Sequence, residues 1–186
     1  MLYQSPPKQR SAAFKYRPKL FWTFLLISFA GLNYNFSYAT TPSNKDLQAR
    51  FKDWSVFKSN RGDDVICYAV SIPIKENGNF LFRGEPYLMV TNLVNDSDEV
   101  SVSSGFIYKQ TADVELSFGS KKFYLFPYEA LAWADDNNDD IDIIKEMQRN
   151  EEVTITGTMR DNKTASDTYS LIGFAKAYAK LKEICK

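Results

Sequence analysis

Short runs of alternating apolar and polar residues, separated by turn residues, constrain the fold of this chain more than any other feature. In Asp53–Lys58, Trp54 and Val56 alternate with polar neighbours, and Val100–Tyr108 and Val114–Phe118 alternate in the same way. Alternation with a period of two is typical of a strand that buries one of its faces. Turn signals recur about every 8–12 residues between such runs, which predicts an antiparallel sandwich or barrel.

The middle of the chain also contains a hairpin signal. Glu76–Asn79 includes the dipeptide Asn77-Gly78, which accepts positive φ at both central turn positions and therefore predicts a tight hairpin. The apolar run Val65–Ile72 precedes this turn as a strand. Short strands are expected after it, at Phe80–Arg83 and Pro86–Thr91.

Two segments have helical periodicity. The first is Ile141–Arg149, for which Asp139 or Asp140 can serve as the N-cap at the positive end of the helix. Gly173 begins the second, whose apolar residues follow the i, i+3, i+4, i+7 spacing of a buried helix face. Those residues are Phe174, Ala177, Tyr178, Leu181 and Ile184. The expected class is therefore mainly antiparallel β with two short helices.

The N-terminal residues differ from the rest in charge. Residues 1–39 hold five basic side chains and no acidic one, whereas all 23 acidic residues lie in residues 40–186. The apolar run Leu20–Leu32 is shorter than the roughly 20 residues that span a membrane, and it suits the apolar part of a secretory signal peptide. Ser37-Tyr38-Ala39 matches a cleavage site for such a peptide. We therefore predict a signal peptide over residues 1–39.

This interpretation sets the predicted domain organisation. Residues 40–50 form a polar mature N-terminal tail, and residues 51–186 form a single β-sandwich domain without repeats or linkers. The expected localisation is periplasmic or secreted, with the membrane contacted only transiently through the signal peptide. An uncleaved anchor helix, or a true start after Met1, are the alternatives.

The predicted export affects the expected redox state of the two cysteines, Cys67 and Cys185. Disulfides persist in oxidising compartments, so an exported chain favours a bond between them. Closing so long a loop stabilises the fold by about 4–5 kcal/mol on chain-entropy arguments. The bond would join the end of the last helix to the body of the domain. Two free buried thiols are the alternative.

The chain contains no histidine. This excludes Ser-His-Asp and Cys-His catalysis, and any zinc or iron site that needs imidazole. Ser103-Ser104-Gly105 lacks the nucleophile elbow of the hydrolases, and the chain has no glycine-rich phosphate loop. We expect no catalytic residue, no cofactor and no enzymatic activity. The excess of acidic residues after position 39 also argues against nucleic-acid binding.

One acidic stretch resembles a calcium-binding loop. Asp135, Asn137 and Asp139 occupy loop positions 1, 3 and 5, and Glu146 occupies position 12. Position 6 is Asp140, where that pattern has the glycine that turns the chain around the ion. We therefore expect a solvated acidic loop that caps a helix and no metal site, with specific calcium binding and weak cation binding as the alternatives.

Several stretches, taken in their order along the chain, together resemble the invasion-associated locus B family of exported proteins from Gram-negative bacteria. The resemblance runs from about Phe51 to Cys185, and the segment Asp167–Phe174 (D-T-Y-S-L-I-G-F) is its most specific part. The other matching stretches are Asp53-Trp54-Ser55-Val56 with Cys67-Tyr68, Tyr87–Thr91 with Glu99-Val100 and Ser104-Gly105-Phe106, Ala132-Trp133-Ala134, and Ala177 with Cys185.

The resemblance implies an immunoglobulin-like β-sandwich in the periplasm or envelope, with no established catalytic residues. Other family members carry additional cysteines, so the pairing of Cys67 with Cys185 is the only one that it implies here. It also implies an association with virulence and with invasion of host cells.

The expected function is that of a non-enzymatic envelope protein, with a possible role in host-cell invasion or envelope interactions through binding of a protein. Its partner, in the envelope or on a host surface, is not identified by the sequence. The alternative is a structural or chaperone-like periplasmic module without a role in invasion, which accepts a strand of its partner at an open sheet edge.

Overall fold

Eleven strands and two helices make up the part of the chain that the computed structural model describes, residues 46–61, 64–80, 82–93 and 97–185. The predicted signal peptide lies outside these ranges. The strands are β1 (Leu47–Phe51), β2 (Trp54–Arg61), β3 (Asp64–Ser71), β4 (Lys75–Asn77), β5 (Tyr87–Asn92), β6 (Asp98–Ser103), β7 (Val114–Phe118), β8 (Lys121–Tyr128), β9 (Leu131–Trp133), β10 (Glu152–Thr158) and β11 (Thr164–Ser170). The helices are α1 (Asn137–Arg149) and α2 (Phe174–Ile184).

The strands are hydrogen-bonded in the order β1-β2-β3-β5-β6-β9-β8-β7-β10-β11-β4. Strand β8 is the corner of this arrangement, because Lys121–Leu125 pairs with β7 whereas Phe126–Tyr128 pairs with β9. All pairings are antiparallel among the described strands. We call the strands from β1 to β9 in this order the first layer, and β7, β10, β11 and β4 the second layer.

The two layers share one hydrophobic core. Trp54 and Val56 of the first layer and Leu116 and Ile155 of the second are fully buried and belong to the same cluster. Their alternation with outward residues is the pattern found in the sequence, and the predicted class, mainly antiparallel β with two short helices, is confirmed. The described residues belong to one compact unit. No helix within the described ranges is long and apolar enough to cross a membrane.

The hairpin predicted at Glu76–Asn79 is wrong. After β3 the chain leaves the first layer and runs along the far edge of the second layer, where Lys75 pairs with Thr168 and Asn77 pairs with Ser166. Asn77 is therefore a strand residue, and its partner is about ninety positions away along the chain. The strand expected at Phe80–Arg83 is also absent from the described residues, because these residues belong to the connection that returns to the first layer.

The first described strand and the start of α1 add detail that the sequence interpretation lacked. Strand β1 begins at Leu47, within the residues assigned to the tail, and pairs with β2. The N-cap of α1 is Asp136, whose carboxylate accepts hydrogen bonds from the backbone N–H groups of Asn138 and Asp139. The prediction of Asp139 or Asp140 as N-cap is wrong because the polar residues before Ile141 already form the first helical turn.

Helix α2 follows the last strand of the second layer but packs on the first layer, against β1, β2 and β3. Its buried residues are Phe174, Ala177 and Leu181. The residue that permits this crossing is Gly173, with φ of 98° in the left-handed region. A Cβ at this position would overlap the backbone carbonyl of Phe51 in β1. The glycine therefore allows both the turn and the close approach of α2 to the first layer.

We predict that Gly173→Ala destabilises the protein more than Gly119→Ala does. Gly119 also has positive φ, 66°, but an added Cβ would meet nothing within 4 Å. Gly119→Ala should therefore cost only the backbone strain, about 1–2 kcal/mol. Gly173→Ala should cost about 1–3 kcal/mol more, because a backbone carbonyl must also shift. Urea unfolding of the two variants measures the difference, and equal losses would contradict the close approach.

Candidate functional site

The two cysteines meet at the C-terminal end of α2. Cys67 is a fully buried residue of β3, and Cys185 is the C-cap of α2. The structure joins them by a disulfide, with the two Cα atoms 6.0 Å apart. The pairing implied by the resemblance is therefore present in the structure. The bond connects the last residues of the fold to the third strand of the first layer.

A partly buried carboxylate, that of Asp98, holds α2 next to this disulfide. Asn92 pairs with Cys67 across β5 and β3, and Asp98 pairs with Asn92 across β6 and β5, so the three residues lie in one row. The Asp98 carboxylate accepts hydrogen bonds from the Tyr178 hydroxyl at 2.6 Å and from the Lys182 ammonium at 3.2 Å. Both donors lie on α2. Asp98 therefore fixes the rotation of the helix over the row.

Trp54 connects the other end of α2 with both layers. Its indole Nε1 donates a hydrogen bond of 3.0 Å to the backbone carbonyl of Ser170, at the end of β11. Its ring lies 4.7 Å from the ring of Phe174, in the first turn of α2. Trp54, Ser170 and Phe174 are all buried. The box Asp167–Phe174, which carries the resemblance, therefore contacts the Asp-Trp-Ser-Val stretch directly.

A buried ion pair lies at the start of the same box. The Arg83 guanidinium binds the Asp167 carboxylate through two hydrogen bonds, Nη1 to Oδ1 at 3.0 Å and Nη2 to Oδ2. The side chain of Asp167 is fully buried, and that of Arg83 is only 7% exposed. Arg83 Nε donates to the backbone carbonyl of Ser104 at 2.6 Å, and Nη1 also donates to Glu76 at 3.1 Å. Arg83 therefore fixes the connection between β4 and β5 against both layers.

Aromatic rings enclose this ion pair. The Arg83 guanidinium carbon lies 5.0 Å from the ring centroid of Phe80 and 5.9 Å from that of Phe106. Tyr108 packs against Phe106, and its hydroxyl donates to the side chain of Ser104 at 2.8 Å. Such contacts with ring faces partly compensate the cation for the water it has lost.

The contacts of Arg83, Asp167 and the surrounding aromatic rings, which we call the Arg83 cluster, indicate a structural role. Four of the five N–H groups of Arg83 are engaged by the carbonyl of Ser104 and the two carboxylates. Burial lowers the pKa of Arg83, but the hydrogen bond and charge of Asp167 outweigh it, so the pKa is raised. Burial also raises the pKa of Tyr108 and of Tyr169. Both tyrosines therefore stay neutral at physiological pH, and the charges of the cluster are those of Arg83 and its two carboxylate partners.

The acidic stretch that resembles a calcium loop is mostly helix. Asn137 and Asp139 lie in the first turn of α1, so the residues at loop positions 3 and 5 follow a helix instead of wrapping an ion. Asp140 is buried, and its carboxylate accepts a hydrogen bond of 2.8 Å from the backbone N–H of Val100 in β6. No group of three or more His, Cys, Asp or Glu within the described ranges could hold a metal ion. Asp140 connects α1 to the first layer.

Sequence reasoning missed Arg83 and the roles of Asp98 and Asp140. Each of these charged side chains acts through a partner that is distant in the chain: Asp167 for Arg83, Tyr178 for Asp98 and Val100 for Asp140. The only local signal was a single arginine preceded by Phe80 and Phe82 in a connection rich in turn residues. That signal does not identify a partner.

The fold and its contacts define a disulfide-closed β-sandwich whose C-terminal helix crosses from the second layer to the first. The profile of the family described as invasion associated locus B (IalB) protein matches residues 54–182, and the chain belongs to this family. No curated protein matches the chain. The crystal structure of invasion associated protein B from Bartonella henselae is similar, with a TM-score of 0.53 and 12% identity over 74% of this chain and 95% of that chain. At that identity the similarity shows the fold alone.

We predict that Asp167→Asn destabilises the protein far more than Glu76→Gln does. Asp167→Asn removes the buried counter-ion of Arg83 and leaves only the half-exposed Glu76, which costs about 3–5 kcal/mol. The side chain of Glu76 is about half exposed, so the loss of its ion pair should cost less than about 1 kcal/mol. Urea unfolding at pH 7 measures both.

The double substitution Arg83→Met with Asp167→Leu serves as the control. It removes both charges together, so it should recover a large part of the stability that Asp167→Asn loses. If the double variant were as unstable as Asp167→Asn, the loss would come from packing and not from the unpaired charge.

Proposed function

We propose that this protein is an exported envelope protein of the IalB family that acts by binding a protein partner and not by catalysis. The observation that carries the proposal is the Cys67–Cys185 disulfide, which closes the fold around a single core. Such bonds persist in the periplasm and outside the cell, and are rare where thiols are kept reduced. The basic and apolar N-terminal residues support the same localisation.

Support for binding comes from three exposed isoleucines, which we call the isoleucine patch. Ile72, Ile74 and Ile172 are 67%, 53% and 53% exposed. Ile72 and Ile74 precede β4, Ile172 follows β11, and β4 pairs with β11. The three side chains therefore belong to the same end of this strand pair. Clustered exposed apolar side chains are typical of surfaces that contact another protein.

The alternative function, a module that accepts a strand of its partner, requires a sheet edge that can pair with another strand. The edge of the second layer is poorly suited to this. The edge strand β4 has only three residues, all exposed, and two of them are Lys75 and Glu76. Short, charged edge strands disfavour the addition of another strand. At this edge we therefore favour binding through side chains of the isoleucine patch over strand addition. The proposal includes a contribution to host-cell contact, which is supported by the family and by the name of the similar Bartonella protein.

We predict that the protein isolated from the periplasmic or secreted fraction of the native organism begins at Thr40. N-terminal sequencing of each fraction tests this prediction. Leu26→Arg places a charge in the apolar run and should retain the full-length chain in the cytoplasm, because a charged residue disrupts the apolar part of a signal peptide.

Leu2→Arg is the matched control, because it adds the same charge outside the apolar run and should leave export unchanged. An intact Met1 on the unsubstituted protein, recovered from the cytoplasm, would refute the proposed export. In that case the disulfide would have no compartment that sustains it.

A further inference from the structure

We propose that Cys185 is a thiol-exchange site, guarded by the last turn of α2 acting as a latch. In this proposal an external thiol, from a small molecule or from a cysteine of a partner protein, forms a mixed disulfide with Cys185 while the sandwich stays folded. The proposal assigns the disulfide a reactive role beyond its role in closing the fold.

The two cysteine residues differ in burial. Cys67 lies within β3 and is fully buried, whereas Cys185 is partly exposed. Buried residues of α2 end at Leu181, and Lys182–Cys185 are partly or fully exposed. Cys185 is therefore the cysteine nearer to solvent, so an external thiolate is expected to attack Cys185 in preference to Cys67, since exchange requires access to the sulfur that is attacked.

The two ends of α2 are also held in different ways. Phe174 at the first turn is fully buried against Trp54, and Gly173 lies against the backbone of β1. The last turn is held by two polar contacts that are only part-buried: the Lys182 ammonium binds the Asp98 carboxylate at 3.2 Å, and the Lys58 ammonium donates a hydrogen bond of 2.6 Å to the backbone carbonyl of Ile184. Ile184 and Cys185 pack against the core but are only partly buried. Residues held by partly solvated polar contacts open at a lower free energy than residues in the core. The last turn can therefore open while the first turn stays in place.

The proposed step is a disulfide exchange in which atoms and charge balance. The thiolate of the external thiol attacks Sγ of Cys185 and forms a new sulfur–sulfur bond. The Cys67–Cys185 bond breaks, its electron pair stays on Sγ of Cys67, and that sulfur takes a proton from solvent. A second thiol can then attack the mixed disulfide, releasing Cys185 as a thiol and the external thiols as their own disulfide. The two external thiols together supply the two electrons that reduce the protein disulfide.

The test uses the purified, oxidised full chain with reduced glutathione as the probe, so it does not depend on export. The reaction is quenched with acid, free thiols are alkylated, and the modified cysteines are located by peptide mass analysis. The expected result is glutathione on Cys185 and the alkyl group on Cys67. In sub-denaturing urea the exchange rate should change by less than about twofold, because a local opening exposes little surface.

Lys58→Met tests the latch itself. Removing the contact with the Ile184 carbonyl should make the last turn open more often, and should speed exchange by about fivefold, as expected for a part-buried charged hydrogen bond. Lys163→Met is the matched control, since Lys163 lies in the turn between β10 and β11 and pairs with Asp161. Its exchange rate should equal that of the unsubstituted chain.

Three results would overturn the proposal. The first is glutathione on Cys67 in place of Cys185. The second is exchange that accelerates with urea as steeply as global unfolding, since the opening would then be unfolding of the whole domain. The third is an unchanged or slower rate in Lys58→Met, since the last turn would then not be the element that limits access. In any of these cases the disulfide closes the fold and has no exchange function.

Discussion

The contact between Trp54 and the end of β11 is the interaction on which the arrangement of the molecule depends. One side chain of the first layer donates a hydrogen bond to the backbone of the second layer and packs on the first turn of α2. A buried indole N–H without a hydrogen-bond partner would destabilise the fold. The fold therefore requires the backbone carbonyl of Ser170 as the acceptor of this hydrogen bond. The position of the helix therefore follows from the pairing of the layers.

The polar interactions around this contact each join segments that are distant in the chain. Arg83 and Asp167 fix the connection that returns from β4 to β5, and Asp98 fixes α2 over the row that contains Cys67. Buried charges are tolerated only where they are paired, and removal of one partner is more costly than replacement of both. These pairs therefore specify which segments meet, while the aliphatic core supplies most of the driving force.

The sequence predicted the class of fold because alternation is a local property. The inward Trp54 and Val56, and the helix beginning near Gly173, could be recognised without knowledge of any distant partner. Strand β4 could not be recognised, because Asn77-Gly78 has the composition of a turn and Asn77 becomes a strand residue only by pairing with β11. The box Asp167–Phe174 could be recognised as a pattern. The structure adds the reason for that pattern: it holds the partners of Arg83 and Trp54 and the glycine that the crossing to α2 requires.

Hydrogen exchange of the Trp54 indole proton, followed by NMR in the oxidised full chain, tests the central role of this contact most directly. If the contact holds the layers and α2 together, this proton exchanges only through global unfolding, and its free energy of exchange equals the free energy of unfolding from urea denaturation. An indole proton that exchanges through a much smaller opening, while the amides of β2 and β11 remain protected, would contradict the account.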